Sequence, residues 1–167
     1  MNYAKIKPVD VANGEGVRVS VFVSGCPHHC KGCFNAELWN YDAGEEFDFH
    51  TIHMILELCN HKHIAGLSLL GGEPLAPENV QGLRDLCYLF KKYFPDKDIW
   101  CYTGYTWEEI KQLHILKFID VLVDGKFVQE LKDPRLRFRG SSNQRIIDVR
   151  KSIESGCVFL RKELMGD

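Results

Sequence analysis

Residues 17–35 read VRVSVFVSGCPHHCKGCFN, an apolar run that leads directly into three cysteines. The apolar run predicts a strand, and Cys26, Cys30 and Cys33 follow it at C-x3-C-x2-C spacing in a loop stiffened by Pro27. Thiols this close in sequence can converge on one ion or cluster, and three of them leave one coordination position open. Structural zinc sites and ordinary [4Fe–4S] electron carriers use four protein ligands. The spacing therefore indicates a cluster with one exchangeable iron.

Two histidines lie inside the same loop. His28 or His29 could supply a fourth ligand and close a zinc site, which is the simpler alternative. They could instead tune the potential of a cluster through hydrogen bonds to sulfur, or be exposed loop residues without a role. The sequence alone leaves the roles of both histidines open.

A second motif, LLGGEP, occupies residues 69–74 and follows the run IAGLS at 64–68. It predicts a buried strand that runs into a glycine turn with one carboxylate. Glycine lets a ligand approach the backbone, so main-chain groups at Gly71 and Gly72 could form a cradle. Glu73 could complete it by accepting hydrogen bonds from a cationic amine. Taken alone, such a turn is also typical of a plain connection between a strand and a helix.

Strand and helix patterns alternate along the rest of the chain. Strands are predicted at 17–23, 64–70, 98–105, 118–127 and 145–149, with a last edge strand at 158–160; helices are predicted at 49–59, from Pro77, and from a capping box at 106–109. This alternation implies a mostly parallel sheet that is covered on at least one face. The cysteines and the glycine turn follow strand ends, where barrel-type α/β folds place their active sites.

Length and composition limit the class of protein. The chain has 167 residues, 45% of them apolar, which predicts one domain spanning residues 1–167. Because eight β/α units need roughly 250 residues, we expect an incomplete (β/α) barrel of five or six mostly parallel strands, open on one side. Four further cysteines fit as small apolar fillers: Cys59, Cys87, Cys101 and Cys157.

Charge and hydropathy restrict the partners. No apolar run is long enough to cross a membrane and no apolar signal segment opens the chain, so we expect a cytoplasmic protein. The net charge of −2 provides no footprint for nucleic acid. Residues 132–151 are locally basic, and this segment either faces an acidic ligand or partner or is a solvated surface.

The cysteine and glycine motifs together resemble those of the radical S-adenosylmethionine (SAM) enzymes. In that class three cysteines hold a [4Fe–4S] cluster, and a GGE-type strand end holds the SAM amino group. Across nearly the whole chain the resemblance narrows to the family of anaerobic ribonucleoside-triphosphate reductase activating proteins. It is carried by Tyr3 with PVD at 8–10, FVSGC at 22–26, DIW at 98–100, YTGY at 102–105, VLVDGKF at 121–127 and RGSSNQ at 139–144.

The resemblance implies a partial barrel of radical SAM type and an enzyme that makes a glycyl radical on the reductase. A low-potential donor such as flavodoxin would reduce the cluster, which would cleave SAM to methionine and a 5′-deoxyadenosyl radical. That radical would take hydrogen from a glycine near the C-terminus of the reductase. The protein itself would supply ligation, orientation and exclusion of water.

The resemblance also implies roles for residues of the cysteine loop. Cys26, Cys30 and Cys33 would be the three cluster ligands and thereby the catalytic centre. Gly32, Cys33 and Phe34 would place main chain and an aromatic edge near the SAM adenine.

Further cofactor contacts are implied beyond the loop. Gly71, Gly72 and Glu73 would hold the methionyl ammonium group of SAM. Lys126 would pair with the SAM carboxylate, and Asp124 would orient Lys126 or a ribose hydroxyl; a strand-end salt bridge is the open alternative. Two further polar residues could contact either SAM or the partner: Ser142 and Asn143.

Other functions compete with this interpretation. An activating enzyme of pyruvate formate-lyase or of another glycyl radical enzyme would share the mechanism and differ in its partner. A small-molecule radical SAM enzyme is disfavoured, because no residue set for a heterocyclic substrate stands out. A non-catalytic iron–sulfur or zinc binding module would bind metal without SAM turnover.

Overall fold

The computed structural model describes residues 1–166. It consists of one seven-stranded sheet with helices packed on it. In chain order the strands are β1 (Asn2–Asp10), β2 (Val17–Val23), β3 (Glu45–Glu46), β4 (Ile64–Gly71), β5 (Asp98–Tyr102), β6 (Val121–Asp124) and β7 (Arg145–Asp148). The α-helices are α1 (Phe49–Cys59), α2 (Pro77–Tyr93), α3 (Trp107–Ile110), α4 (Val149–Ser155) and α5 (Lys162–Met165), with short 3-10 helices at Ala36–Leu38, His114–Lys117 and Gln129–Leu131.

The strand order across the sheet is β3-β1-β2-β4-β5-β6-β7. The four central strands, β2, β4, β5 and β6, pair in parallel, as the alternation of strands and helices predicts. The three outer strands pair antiparallel, so the sheet is mixed. The expectation of five or six mostly parallel strands was therefore correct for the centre of the sheet and wrong for its margins.

Two strands were missed near the N-terminus. β1 carries lysines and a proline and is only half buried, because β3, its outer neighbour, covers just two of its residues. Its apolar pattern is consequently weak, which is normal for a strand close to a sheet edge. β3 is too short to leave any pattern.

The C-terminal side of the sheet reverses direction. β6 ends at Asp124 and β7 starts at Arg145, and these two residues are paired across the strands. The connection between them therefore stays at one end of the sheet, so β7 runs back instead of crossing over. The predicted edge strand at 158–160 is reduced to a single bridge between Ile147 and Leu160.

The helix starts agree with local sequence signals. Asp48 caps α1 by accepting from the Thr51 amide, and α2 begins with Pro77 in its first turn. The Glu109 carboxylate accepts from the Thr106 amide at 2.7 Å, as the predicted capping box requires.

Within the described residues 1–166, no helix combines the length and apolar character needed to cross a bilayer.

The two faces of the sheet are different. Side chains alternate between them, and one face packs on α1 and α2 to form the main apolar core. The opposite face carries Ser20, Phe22, Leu70, Trp100 and Tyr102 over the central strands, with a smaller apolar cluster around Trp100. This second face leads towards the strand ends where the sequence motifs lie.

A fully buried arginine joins the central strands at the start of the sheet. Arg18 donates to the Ser68 hydroxyl at 2.7 Å and to the main-chain oxygens of Glu15 and Leu67, both at 2.9 Å. It also pairs with the Asp98 carboxylate at 2.6 Å. The guanidinium of this β2 residue thereby satisfies acceptors on β4, on β5 and in the turn before β2 at once. The turn before β2, residues 13–16, contains two glycines and packs closely on this arginine: a Cβ on Gly14 would lie 2.8 Å from the Arg18 side chain.

We expect Arg18→Met to lower the free energy of unfolding by about 3 kcal/mol, because it leaves buried carbonyl acceptors without a donor while keeping the aliphatic volume. Equilibrium urea unfolding followed by circular dichroism measures the change. The matched control is Arg150→Met, whose ion pair with Glu154 is exposed. That change should cost less than about 0.5 kcal/mol. Equal effects of the two substitutions would show that the Arg18 network does not hold the strands together.

Candidate active site

One cavity lies at the carboxyl ends of the parallel strands. Its volume is about 660 Å³, within the range of roughly 300–1,000 Å³ that small-molecule sites occupy. Its floor includes Phe22, Leu70 and Tyr102 from the second face of the sheet. The predicted site residues that line it are Cys26, Cys30, Cys33, Phe34, Gly71, Gly72 and Glu73. The parallel strands thus bring the two sequence motifs together.

The three cysteines lie in what we call the cluster loop, residues 26–33. All three thiols are free and partly exposed to the cavity. Burial raises the pKa of the Cys26 and Cys30 thiols, and the negative charge of Glu73 raises that of Cys26 further. The Cys26 and Cys30 thiols are therefore protonated near neutral pH without metal, and a bound metal would displace these protons.

The cluster loop does not have the geometry of a site for a single metal ion. Within residues 1–166, no three His, Cys, Asp or Glu side chains are close enough together to hold one metal ion. A [4Fe–4S] cluster does not need such convergence, because each cysteine thiolate binds its own iron atom.

Both histidines of the cluster loop have other contacts. The His28 ring is bonded through Nε2 to the Glu73 carboxylate at 2.7 Å. The His29 ring stacks on Trp39 with centroids 4.4 Å apart and nearly parallel planes. These contacts disfavour the closed zinc site in which one histidine would be the fourth ligand.

The glycine turn after β4 is packed against the start of the cluster loop. The Gly72 amide donates to the Val23 carbonyl at 2.8 Å, and the Glu73 amide donates to the Gly25 carbonyl at 2.7 Å. A Cβ on Gly71 would lie 2.7 Å from the Val23 nitrogen, and one on Gly72 would lie 2.4 Å from the Gly25 oxygen. The glycines therefore allow the ends of β2 and β4 to approach each other, a reason that the motif alone does not reveal.

The Glu73 carboxylate is buried and its acceptor positions are filled. Oε1 accepts from the Leu75 amide at 2.9 Å and from the Thr103 hydroxyl at 2.7 Å. Oε2 accepts from the Gly104 amide at 2.8 Å and from His28. A carboxylate offers about four acceptor positions, so none is left for an ammonium group. In this geometry the Glu73 side chain has no acceptor position free for the methionyl ammonium, so that contact stays a prediction without support from the carboxylate.

Phe34 stands at the mouth of the cavity. Its ring is 60% exposed, lies 5.2 Å from the Phe127 ring, and has the Lys132 ammonium 4.9 Å from its centroid. Gly32 has a positive φ of 73° and lies under Gln129, so it shapes the loop without lining the cavity. An aromatic edge is thus available where the sequence places one.

Asp124 and Lys126 lie beside a different cavity. Both line a second, shallower space of about 530 Å³ together with Thr106 and Asn143. Asp124 is bound by the Arg145 guanidinium and accepts from the Trp107 amide at 2.7 Å. It therefore forms the strand-end salt bridge that the sequence left open as the alternative, and its role in orienting Lys126 or a ribose hydroxyl stays a prediction. Their contact with SAM stays a prediction that the geometry of the first cavity does not support.

The basic segment 132–151 is largely paired within the chain. Arg135 pairs with Asp133, while Arg145 bridges Asp124 and Glu108. Arg139 donates to the main-chain oxygens of Gln144 and Met165, each at 3.0 Å. Of the two polar residues named from the resemblance, Ser142 is exposed and Asn143 donates to the Lys126 carbonyl at 2.8 Å. Most of the basic side chains in this segment therefore contact other groups of the same chain.

Three cavity residues escaped the sequence analysis. Trp39 Nε1, the Tyr102 hydroxyl and Arg139 Nε are buried polar atoms without a hydrogen-bond partner, and their residues line the cavity. Buried polar atoms are normally paired, so these fit a polar ligand that fills the space. Together with three thiols on one wall, they suit a cluster with a polar organic cofactor beside it. Tyr102 and Arg139 belong to segments that carry the family resemblance, but no motif assigned any of the three residues to the site, because they lie on three distant segments.

Comparisons with known proteins agree with this site. The family model described as a 4Fe-4S single cluster domain matches residues 12–147. The anaerobic ribonucleoside-triphosphate reductase-activating protein of Haemophilus influenzae is 48% identical over 148 residues, covering 86% of this chain and 96% of that protein. The protein of the same name from Enterobacteria phage T4 is 45% identical over 146 residues, covering 87% and 93%.

The corresponding protein from Escherichia coli strain K12 is 45% identical over 154 residues, which is 90% of this chain and 100% of that protein. Such identity over nearly full length, with the cysteine motif inside the matched domain, leaves no doubt about kinship. The chain belongs to the family of anaerobic ribonucleoside-triphosphate reductase-activating proteins and carries its 4Fe-4S single cluster domain.

Proposed function

We propose that this protein activates an anaerobic ribonucleoside-triphosphate reductase by reductive cleavage of SAM at a [4Fe–4S] cluster. The observation that carries the proposal is the cavity in which three thiols face a glycine turn at the ends of parallel strands. The proposed partner, an anaerobic ribonucleoside-triphosphate reductase, is taken from the names of the relatives.

Cys26, Cys30 and Cys33 would hold the cluster and leave its fourth iron open to SAM. The bound and reduced cluster would supply one electron to the sulfonium of SAM. The open iron follows from the donor set, since none of the described side chains near the loop is a free fourth ligand: His28 is engaged by Glu73 and His29 by Trp39.

The main chain of the glycine turn would bind the methionyl end of SAM. Because the Glu73 carboxylate is saturated, the acceptors that remain for the ammonium are carbonyl oxygens of Gly71 and Gly72. The Gly71 carbonyl accepts only a long bond of 3.3 Å from Asn35. Phe34 would cover the adenine end at the mouth of the cavity, with Gly32 and Cys33 setting the course of the loop.

The second face of the sheet would form the inside of a partial barrel of radical SAM type. Phe22, Leu70 and Tyr102 line the cavity from this face, while the helices cover the other. Such an interior excludes water from the reacting groups, which protects a reactive intermediate from side reactions. The open mouth would admit a glycine-bearing loop of the reductase, and flavodoxin or a similar low-potential carrier would reduce the cluster. A cytoplasmic location is part of this proposal.

The proposal predicts that reconstituted, reduced protein releases 5′-deoxyadenosine and methionine from SAM and leaves a glycyl radical on the reductase. Chromatography of the products and electron paramagnetic resonance of the reductase measure both, under anaerobic conditions and with a reductase-free control. Cleavage without a radical on the reductase would point to another partner, such as a pyruvate formate-lyase. A fully loaded, reduced cluster that cleaves no SAM would leave only a binding module.

Cys30→Ala should remove the cluster and with it all SAM cleavage, because two thiolates cannot retain a four-iron cluster stably. Iron and sulfide content, measured after anaerobic reconstitution, report cluster loss directly. Cys157→Ala is the matched control, since Cys157 is exposed and lies outside the cavity. It should keep the full iron content. A Cys30→Ala protein with unchanged iron and activity would refute the ligand assignment.

Gly72→Ala should raise the KM for SAM about tenfold with a smaller effect on kcat, because overpacking costs about 1–3 kcal/mol and must displace the turn from the loop. The added Cβ would meet a main-chain oxygen 2.4 Å away, which cannot move aside. In the control, Gly82→Ala, the Cβ would crowd the flexible end of Met1 and lie at an ordinary contact distance of 3.5 Å from Phe47. An unchanged KM in Gly72→Ala would separate the turn from SAM binding.

A further inference from the structure

We propose that His28 and Glu73 form a clamp that fixes the cluster loop to the ends of β4 and β5. In this view Glu73 is a positioning residue for the cluster ligands and not a contact to the cofactor. The inference deepens the proposed function, on which it rests only in assuming that the loop holds a cluster. It follows from contacts that the sequence motifs do not reveal.

The carboxylate half of the clamp joins three chain segments. Glu73 is 1% exposed and receives donors from its own turn, from Thr103 and Gly104 after β5, and from His28 in the cluster loop. Hydrogen bonds to an ionised acceptor are stronger than neutral ones, especially where water is excluded. If His28 moved away, the buried Glu73 carboxylate would lose one of its hydrogen-bond donors. The free-energy cost of that loss keeps the loop in place.

The imidazole half of the clamp sits in a fitted slot. The His28 side chain is 6% exposed although its residue belongs to a surface loop, and its ring meets the Tyr105 ring edge-on at 4.5 Å. A Cβ on Gly104 would lie 2.4 Å from His28 Cδ2, so only glycine at that position leaves room for the ring. Because a carboxylate oxygen only accepts, Nε2 carries the proton in this bond.

The clamp acts on the middle of the cluster loop. Main-chain bonds hold the beginning of the loop, where the amides of Gly25 and Cys26 donate to the carbonyls of residues 38 and 39. His28 lies between Cys26 and Cys30, two of the three ligands. The loop's ion pair between Lys31 and Glu130 is exposed and 3.7 Å long, so it contributes little. A buried bond from His28 therefore sets where the thiols stand relative to the glycine turn.

The neighbouring histidine provides a matched control. His29 belongs to the same loop, is exposed, and stacks on Trp39 without contacting Glu73. Replacing either histidine by phenylalanine keeps an aromatic ring, but only the change at His28 removes a donor from the clamp.

The test is the rate at which a strong iron chelator strips the reconstituted cluster, with neither SAM nor reductase present. His28→Phe should load the same iron and lose it about tenfold faster, because it removes one charge-assisted hydrogen bond; Glu73→Gln should lose it at least as fast, because it removes the charge that all four donors share. His28→Gln, which keeps an N–H donor, should restore most of the resistance, and His29→Phe should match the unaltered protein. The double variant His28→Phe/Glu73→Gln should be no worse than Glu73→Gln alone, since that change already weakens the bond to His28.

A second measurement needs no cluster. Hydrogen exchange of the amides of residues 27–32 in metal-free protein should accelerate in His28→Phe and not in His29→Phe. Equal behaviour of the two phenylalanine variants in both measurements, or additive effects in the double variant, would overturn the clamp. Because neither measurement involves SAM, a failure of the clamp is distinguishable from a failure of SAM cleavage.

Discussion

The parallel pairing of β2 with β4 is the constraint on which the site depends. It aligns Val23 with Gly71, the residues at which the two segments leave the sheet. The cluster loop and the glycine turn therefore emerge side by side, and main-chain bonds from Gly72 and Glu73 to the loop start follow at once. With a different register the two motifs would not line the same cavity. The glycines matter because bulkier residues would separate the strand ends.

The sheet divides structural and chemical tasks between its faces. The alternation of side chains sends one set of residues into the helix-covered core and the other towards the cavity. At the start of the strands the cavity face is closed by Arg18, a buried cation on β2 whose acceptors lie on β4, on β5 and in the turn before β2. At the opposite end it is open, with thiols and unpaired polar atoms around the space. The Arg18 network that holds the strands together and the cavity with the thiols therefore lie at opposite ends of the same strands.

Buried carboxylates show how packing changes the meaning of a motif. Glu73 follows β4 and Asp124 is the last residue of β6, and the family resemblance implies a cofactor contact for each, yet donors from distant segments occupy both carboxylates. A buried charge is stable only when it is paired, so such residues acquire protein partners before any ligand arrives. Main-chain groups and thiols, which cost less to leave open, remain available for a cofactor.

The sequence by itself determined the parallel centre of the sheet, the helix starts and the family, because strand runs, caps and cysteine spacing are local signals. It could not reveal β1, β3 or the reversal of β7, since weakly patterned edge strands and chain direction depend on what they pair with. Only the tertiary structure decided that His28 meets Glu73, that Asp124 meets Arg145, and that Trp39, Tyr102 and Arg139 line the cavity. These contacts join residues far apart in the chain, and no local pattern encodes the distance between two side chains on different strands.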